Sequence, residues 1–177
     1  LSLKDAASME TMKDDMTGAA IVLATLVACA QLEAPVKVTG LMGLVENMTG
    51  GNAYKPGDVL RSRKGKTIEV LNTDAEGRLI LCDALHEGAS EKPTMMVDCA
   101  TLTGAARVAL GTDLPALFCN DDELADDLLA SGKEVTDPMW RMPLFQGYRR
   151  LLDSRVADLN NDGKQDFTVA HYNSTDI

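Results

Sequence analysis

Two carboxylates and a guanidinium stand at alternate positions in Asn72-Thr73-Asp74-Ala75-Glu76-Gly77-Arg78-Leu79, just ahead of an apolar run. On an extended backbone, residues two apart share a face, so Asp74, Glu76 and Arg78 can meet in one small volume. Hard carboxylate oxygens beside a permanent cation suit a divalent metal and an anion. On a helix, each step of two residues turns the side chain by about 200°, and the grouping dissolves. The chemistry therefore requires this segment to be extended, or to form the turn into a helix. The bland competitor is a helix cap supplied by Thr73 or Asp74.

The elements that must position these residues alternate. Residues 16–31 are small and apolar with few polar positions, which predicts a largely buried helix. Residues 36–45, introduced by Pro35, are rich in β-branched and aliphatic side chains and predict a buried strand. The loop over 46–58 is dense in turn formers, and its 13 residues suggest a task beyond connection. A short strand over 67–71 enters the octapeptide, and a helix carrying Leu79, Ile80, Cys82, Ala84 and Leu85 leaves it. Further strands are expected over 94–99 and 114–119, with helices over 105–110 and 121–131. Residues 160–166 read as a polar turn, and 168–177 carry no clear period. The alternation predicts an α/β fold, a three-layer α/β/α arrangement with a mixed, mostly parallel central sheet. Ligands gather at the carboxyl ends of such strands, where the octapeptide and the turn Thr101-Leu102-Thr103-Gly104 both fall.

Composition sets wide bounds. The 177 residues suffice for one domain with its own core. A formal charge of −10 disfavours nucleic acid as the main partner. Cys29, Cys82, Cys99 and Cys119 form no C-x-x-C pair, so reduced, buried thiols of a cytoplasmic protein are expected rather than a disulfide framework. No apolar run of about 18 residues lacks a polar interruption, so neither a membrane span nor a signal peptide is expected.

The octapeptide, continued by Leu79-Ile80-Leu81-Cys82-Asp83-Ala84-Leu85, resembles the signature of the leucyl aminopeptidase (cytosol aminopeptidase) family, peptidase family M17. The resemblance extends through Glu46-Asn47-Met48, Gly50-Gly51, Tyr54-Lys55-Pro56-Gly57-Asp58 and Ala100-Thr101-Leu102-Thr103-Gly104-Ala105. It covers roughly residues 1–158, with the blocks in the family's order and spacing.

That resemblance implies a metallo-aminopeptidase acting on unblocked, leucine-like N-termini through a water activated by two divalent ions, zinc or manganese. It implies Asp15, Asp74 and Glu76 as metal ligands. Lys4 and Arg78 become catalytic residues, Lys4 beside the developing oxyanion and Arg78 as the planar fork for a bicarbonate. Met12, Thr101 and Gly104 would line the pocket for the first side chain, and the Leu102 backbone would meet the substrate amine. It further implies a homo-oligomer, a hexamer in this family. Taken alone, Lys4 reads as a surface lysine, Asp15 as a solvated charge, Arg78 as half of a salt bridge and Met12 as core. His86 and His171 match no ligand of the family.

The domain expected is a single catalytic domain over residues 1–177, incomplete at its start and near 163–168, with the family's N-terminal domain absent. A further metal-binding lysine and a bridging aspartate would precede Lys4. The alternative reading is a catalytically inactive relative acting as a binding or assembly scaffold. A weaker one is magnesium-dependent phosphoryl transfer, which wants a phosphate cradle, and the sequence has no G-x-x-x-x-G-K-[ST].

Overall fold

A computed structural model describes residues 4–152 together with Ser154, Val156 and Ala157. The expected turn over 160–166, the stretch 168–177, His171 and the segment near 163–168 lie outside the described residues.

The chain opens with α1 (Ala6–Glu10), capped by Asp5, whose carboxylate accepts the Ser8 N–H at 2.8 Å. A 3-10 turn over Met12–Met16 feeds α2 (Thr17–Gln31), as the apolar run predicts. Its burial does not match expectation: only Gly18 is buried, and Ile21, Leu23 and Val27 are exposed. The helix is apolar all round, yet the described residues cover little more than one side of it. A Cβ at position 18 would run into the Cys99 carbonyl oxygen, and one at Gly40 would meet Leu26 Cδ1 at 2.5 Å. Met12–Gln31 is long and apolar enough to cross a membrane by length and composition, contrary to the sequence expectation. Core helices pass the same test, and these contacts place α2 against the body of the protein.

The predicted strands over 36–45 and 94–99 are not seen as strands. Among the described residues, no backbone–backbone hydrogen bond engages residues 37–49 or 93–102. A ladder needs a neighbour about 4.8 Å away, and among the described residues these stretches have none, although Thr101 stands as a single bridge residue. Their helices nonetheless pack as on a sheet. Gly40 meets α2, whereas Leu41 and Gly43 meet α3 (Gly77–Ser90) through Gly88 and Ile80. That alternation is what an extended chain with a helix on each side produces. Met96 also reaches Gly88, with its sulfur 3.3 Å from a Cβ there, so α3 touches both stretches.

Two small sheets are formed. Strands β1 (Val59–Arg61) and β2 (Thr67–Glu69) pair antiparallel in the register Val59↔Glu69, Leu60↔Ile68, Arg61↔Thr67. Gly65 takes the left-handed turn position between them, with φ of 86°. The turn docks on α3, where Asp83 accepts the Arg63 N–H at 2.9 Å and Glu87 pairs with its guanidinium at 2.6 Å. After α4 (Ala105–Leu110), β3 (Ala116–Leu117) lies within the expected strand over 114–119 and pairs parallel with β4 (Trp140–Arg141). Between them runs α5 (Asp122–Glu134), whose Asp121 cap accepts the Leu124 N–H at 3.0 Å. A 3-10 helix, Gln146–Leu152, follows. The described residues thus form an α/β arrangement whose buried apolar positions are few: Val70, Ala116, Ala125 and Ala157.

Candidate active site

The octapeptide is the turn into a helix, one of the two conformations its chemistry allowed. The Asn72 carboxamide oxygen accepts the Asp74 N–H at 2.9 Å, an Asx turn that bends the chain before α3. The helix N-cap is Glu76, with φ −69° and ψ −32°, and no side chain caps it. The expected capping by Thr73 or Asp74 is therefore absent, because the helix begins beyond their reach. Both carboxylates of the motif are left for other work. Arg78 stands in the first turn of α3, its side chain exposed.

A cavity of about 510 Å³ is lined by Lys4, Met12, Asp15, Asp74, Glu76, Arg78, Thr101 and Leu102, with apolar neighbours such as Met9 and Val22. Of the site residues that the resemblance implies, Gly104 alone is not in this lining; it is the N-cap of α4, two residues beyond Leu102. His86 lies on α3 and does not line the cavity.

Each candidate metal ligand is held by a second group. The Lys4 ammonium lies 3.2 Å from Asp74 Oδ2 in a half-buried pair. The Thr101 hydroxyl lies 2.8 Å from Asp15 Oδ1 and 2.8 Å from the Asp15 carbonyl. Asn47 Nδ2 donates to Glu76 Oε2 at 2.7 Å. Such partners fix the orientation of a ligating carboxylate while leaving lone pairs for an ion. An all-oxygen donor set of this kind fits a hard or borderline divalent cation. It fits in kind and not yet in number, since among the described residues no three acidic, histidine or cysteine side chains form a metal-holding group.

Two residues matter here beyond those predicted. Asn47 Nδ2 also donates to the Thr73 carbonyl at 3.0 Å, and the Tyr54 hydroxyl donates to the same oxygen at 2.7 Å. Burial, then the charges of Glu76 and Asp74, push the Tyr54 hydroxyl pKa up, which keeps it a donor. The only sequence signals for them were their places in the Glu46-Asn47-Met48 and Tyr54-Lys55-Pro56 blocks and the length of the loop over 46–58. Elsewhere, burial pushes up the carboxyl of Asp98, and burial followed by the Asp98 charge pushes up the Cys99 thiol. The four cysteines are free and half-buried rather than fully buried.

A carboxylate-lined cavity at a turn-to-helix junction of an α/β protein defines a class of site, and comparison with known proteins narrows it. Residues 1–174 match the cytosol aminopeptidase family, catalytic domain. A probable cytosol aminopeptidase of Bradyrhizobium sp. is 52% identical over 164 residues, covering 92% of this chain and 33% of that protein. One from Methylobacillus flagellatus is 54% identical over 163 residues, with the same coverage of 92% and 33%. Among solved structures, the cytosol aminopeptidase of Coxiella burnetii superposes with a TM-score of 0.80 at 48% identity, covering 89% of this chain and 34% of that one. The bottromycin maturation enzyme BotP in complex with Mn gives a TM-score of 0.84 at 44% identity, covering 90% and 36%. The chain belongs to the cytosol aminopeptidase family, and it spans about a third of the length of the curated relatives it matches.

Proposed function

We propose that the chain forms part of the catalytic domain of a metal-dependent aminopeptidase that removes an apolar, leucine-like residue from the N-terminus of unblocked peptides. The observation that carries this reading is the gathering of Lys4, Asp15, Asp74, Glu76, Arg78 and Thr101 on one cavity. Family membership and the aminopeptidase names of the relatives support it.

In this reading Asp15, Asp74 and Glu76 hold two divalent ions, zinc or manganese, completed by ligands from the longer polypeptide; a manganese-bound neighbour supports the choice of ion. When bound, such ions supply an activated water and polarise the scissile carbonyl. The chain's own residues do the rest. Lys4 places a positive charge beside Asp74, where an oxyanion can be stabilised as the carbonyl is attacked. Arg78 offers a planar fork for a bicarbonate that relays protons. Met12, Thr101 and Gly104 shape the pocket for the first side chain, and the Leu102 backbone meets the substrate amine. Thr101 has a second task in orienting Asp15.

The same reading assigns residues 1–177 to a single, incomplete domain of three-layer α/β/α type with a mixed, mostly parallel sheet, assembled as a homohexamer in the cytoplasm. The stretches 37–49 and 93–102, which make no backbone–backbone hydrogen bond among the described residues, suit strands of that sheet. A non-catalytic scaffold has no observation in its favour. Hydrolysis of leucyl amide by the longer protein with added Mn²⁺ or Zn²⁺ tests the proposal. The N-acetylated substrate and an Asp74→Asn/Glu76→Gln variant should both abolish turnover. Cleavage indifferent to either change would sink the two-metal exopeptidase reading.

A further inference from the structure

We infer that Asn47 is a positioning residue for Glu76, assisted by Tyr54, and that the loop over 46–58 exists in part to hold the site's turn from behind. The inference rests on the reading of Glu76 as a metal ligand. Asn47 spends both protons of its carboxamide on the turn, one on the Thr73 carbonyl at 3.0 Å and one on Glu76 Oε2 at 2.7 Å. The orientation of the amide is forced by chemistry, because both partners are acceptors. A flipped amide would set an oxygen against a carbonyl and a carboxylate. Tyr54 fills the second acceptor position of the Thr73 carbonyl at 2.7 Å. Thr73 is 4% exposed, so this carbonyl has little access to water as an alternative partner.

The consequence for the site is directional. A glutamate side chain has three rotatable torsions, and α3 has no side-chain cap to fix its first turn. The Asn47 bond pins one oxygen of Glu76 and leaves the other, with the remaining lone pairs of the first, to the cavity that Glu76 lines. Asn47 also joins the turn to the extended stretch 37–49, which packs on α2 and α3 through Gly40 and Gly43. Tyr54 reaches only the backbone of the turn, so its hold on Glu76 is indirect.

Mn²⁺ titration of the longer protein, monitored by calorimetry, separates these roles. Asn47→Ala, and Asn47→Leu as the variant that keeps the volume without the donors, should weaken Mn²⁺ binding about 10–100-fold, the usual effect of removing an outer partner of a ligand. Tyr54→Phe should weaken it less. Turnover of leucyl amide at saturating Mn²⁺ should fall in kcat with KM nearly unchanged, and the metal-free unfolding temperature of Asn47→Leu should fall only modestly, because Tyr54 still donates to the Thr73 carbonyl. Mn²⁺ affinity that depends on Glu76, read from Glu76→Gln, but not on Asn47 overturns the positioning role alone. So does a larger loss in Tyr54→Phe than in both Asn47 variants. Absence of Mn²⁺ binding by the parent, or equal binding by Glu76→Gln, overturns the metal-site reading and the positioning role with it.

Discussion

Gly18→Ala is a sharp test of how the two walls of the site are joined. Position 18 is the second residue of α2, three residues after Asp15, and it is the helix's buried residue. Two effects of the added methyl oppose one another. Alanine is favoured over glycine within a helix by up to about 1 kcal/mol. Against that, the new Cβ would overlap the Cys99 carbonyl oxygen and lie 3.0 Å from the Cys99 carbonyl carbon and 3.2 Å from Ala100 Cα. These are backbone atoms with no rotamer to escape into, and overpacking of this sort costs about 1–3 kcal/mol. The clash should win, leaving a net loss of about 1–2 kcal/mol, or a fall of about 2–8 °C in Tm for a domain of this size. Gly88→Ala in α3 is the matched control. Its Cβ would meet only the Met96 sulfur at 3.3 Å and Leu41 Cδ1 at 3.4 Å, both ends of flexible side chains. There the propensity gain should prevail, with Tm unchanged or raised. The joint also bears on the proposed site, because pushing α2 off the 93–102 stretch separates Asp15 from the Thr101 hydroxyl that holds it. Thermal unfolding by circular dichroism reads both variants, and a Gly18→Ala protein as stable as the parent would refute the close packing of α2 on Cys99.

Other perturbations have equally definite signs. The Asp98 carboxyl is pushed above its ordinary value of 3.8 by burial. Its contribution to stability is therefore present below that value and lost as pH rises through the elevated one. Asp98→Asn should stabilise the protein at neutral pH, with the gain vanishing as pH falls below 3.8; urea denaturation across the range checks this, and a destabilised variant at pH 7 would contradict it. Asp121→Ala removes the α5 cap on the Leu124 N–H and should lose about 0.5–2 kcal/mol in the same assay. Arg63→Ala breaks an ion pair with Glu87 whose side chains are 60% and 51% exposed. Its effect through that pair should stay within about 0.2–1 kcal/mol and shrink in high salt, as exposed pairs do. A large, salt-independent loss would show that the hairpin's backbone bond to Asp83 depends on the guanidinium as well.

Sequence patterns carried the helices and the motif well, because both are local. The apolar run at 16–31, the acidic-capped helix after Asp121 and the turn at Asn72 each follow from residues within a few positions of one another. Capping by Thr73 or Asp74 failed for a reason just as local: Asn72 bends the chain first, and the helix starts only at Gly77. β1 and β4 went unseen, whereas the equally short β2 and β3 fell within longer stretches whose residue types predicted a strand.

Long-range partners were beyond the sequence. Asn47 and Thr73 are 26 residues apart, and Thr101 and Asp15 are 86 apart, so no periodicity links either pair. Only the resemblance placed Asp15 and Thr101 in one site, and it gave Asn47 no role there. The burial expected for α2 exposes the same limit from the other side. Hydrophobicity states that a helix needs cover, whereas the cover itself is a property of its neighbours. Gly18 and Gly40 show where the described chain supplies it, and the exposed Leu23 and Val27 show where it does not. The stretches 37–49 and 93–102 repeat that lesson for hydrogen bonds: their residue types favour extension, but a ladder requires a second strand, and the described residues supply none. Helix, cavity and carboxylates are therefore all found in a chain that spans about a third of the length of its curated relatives.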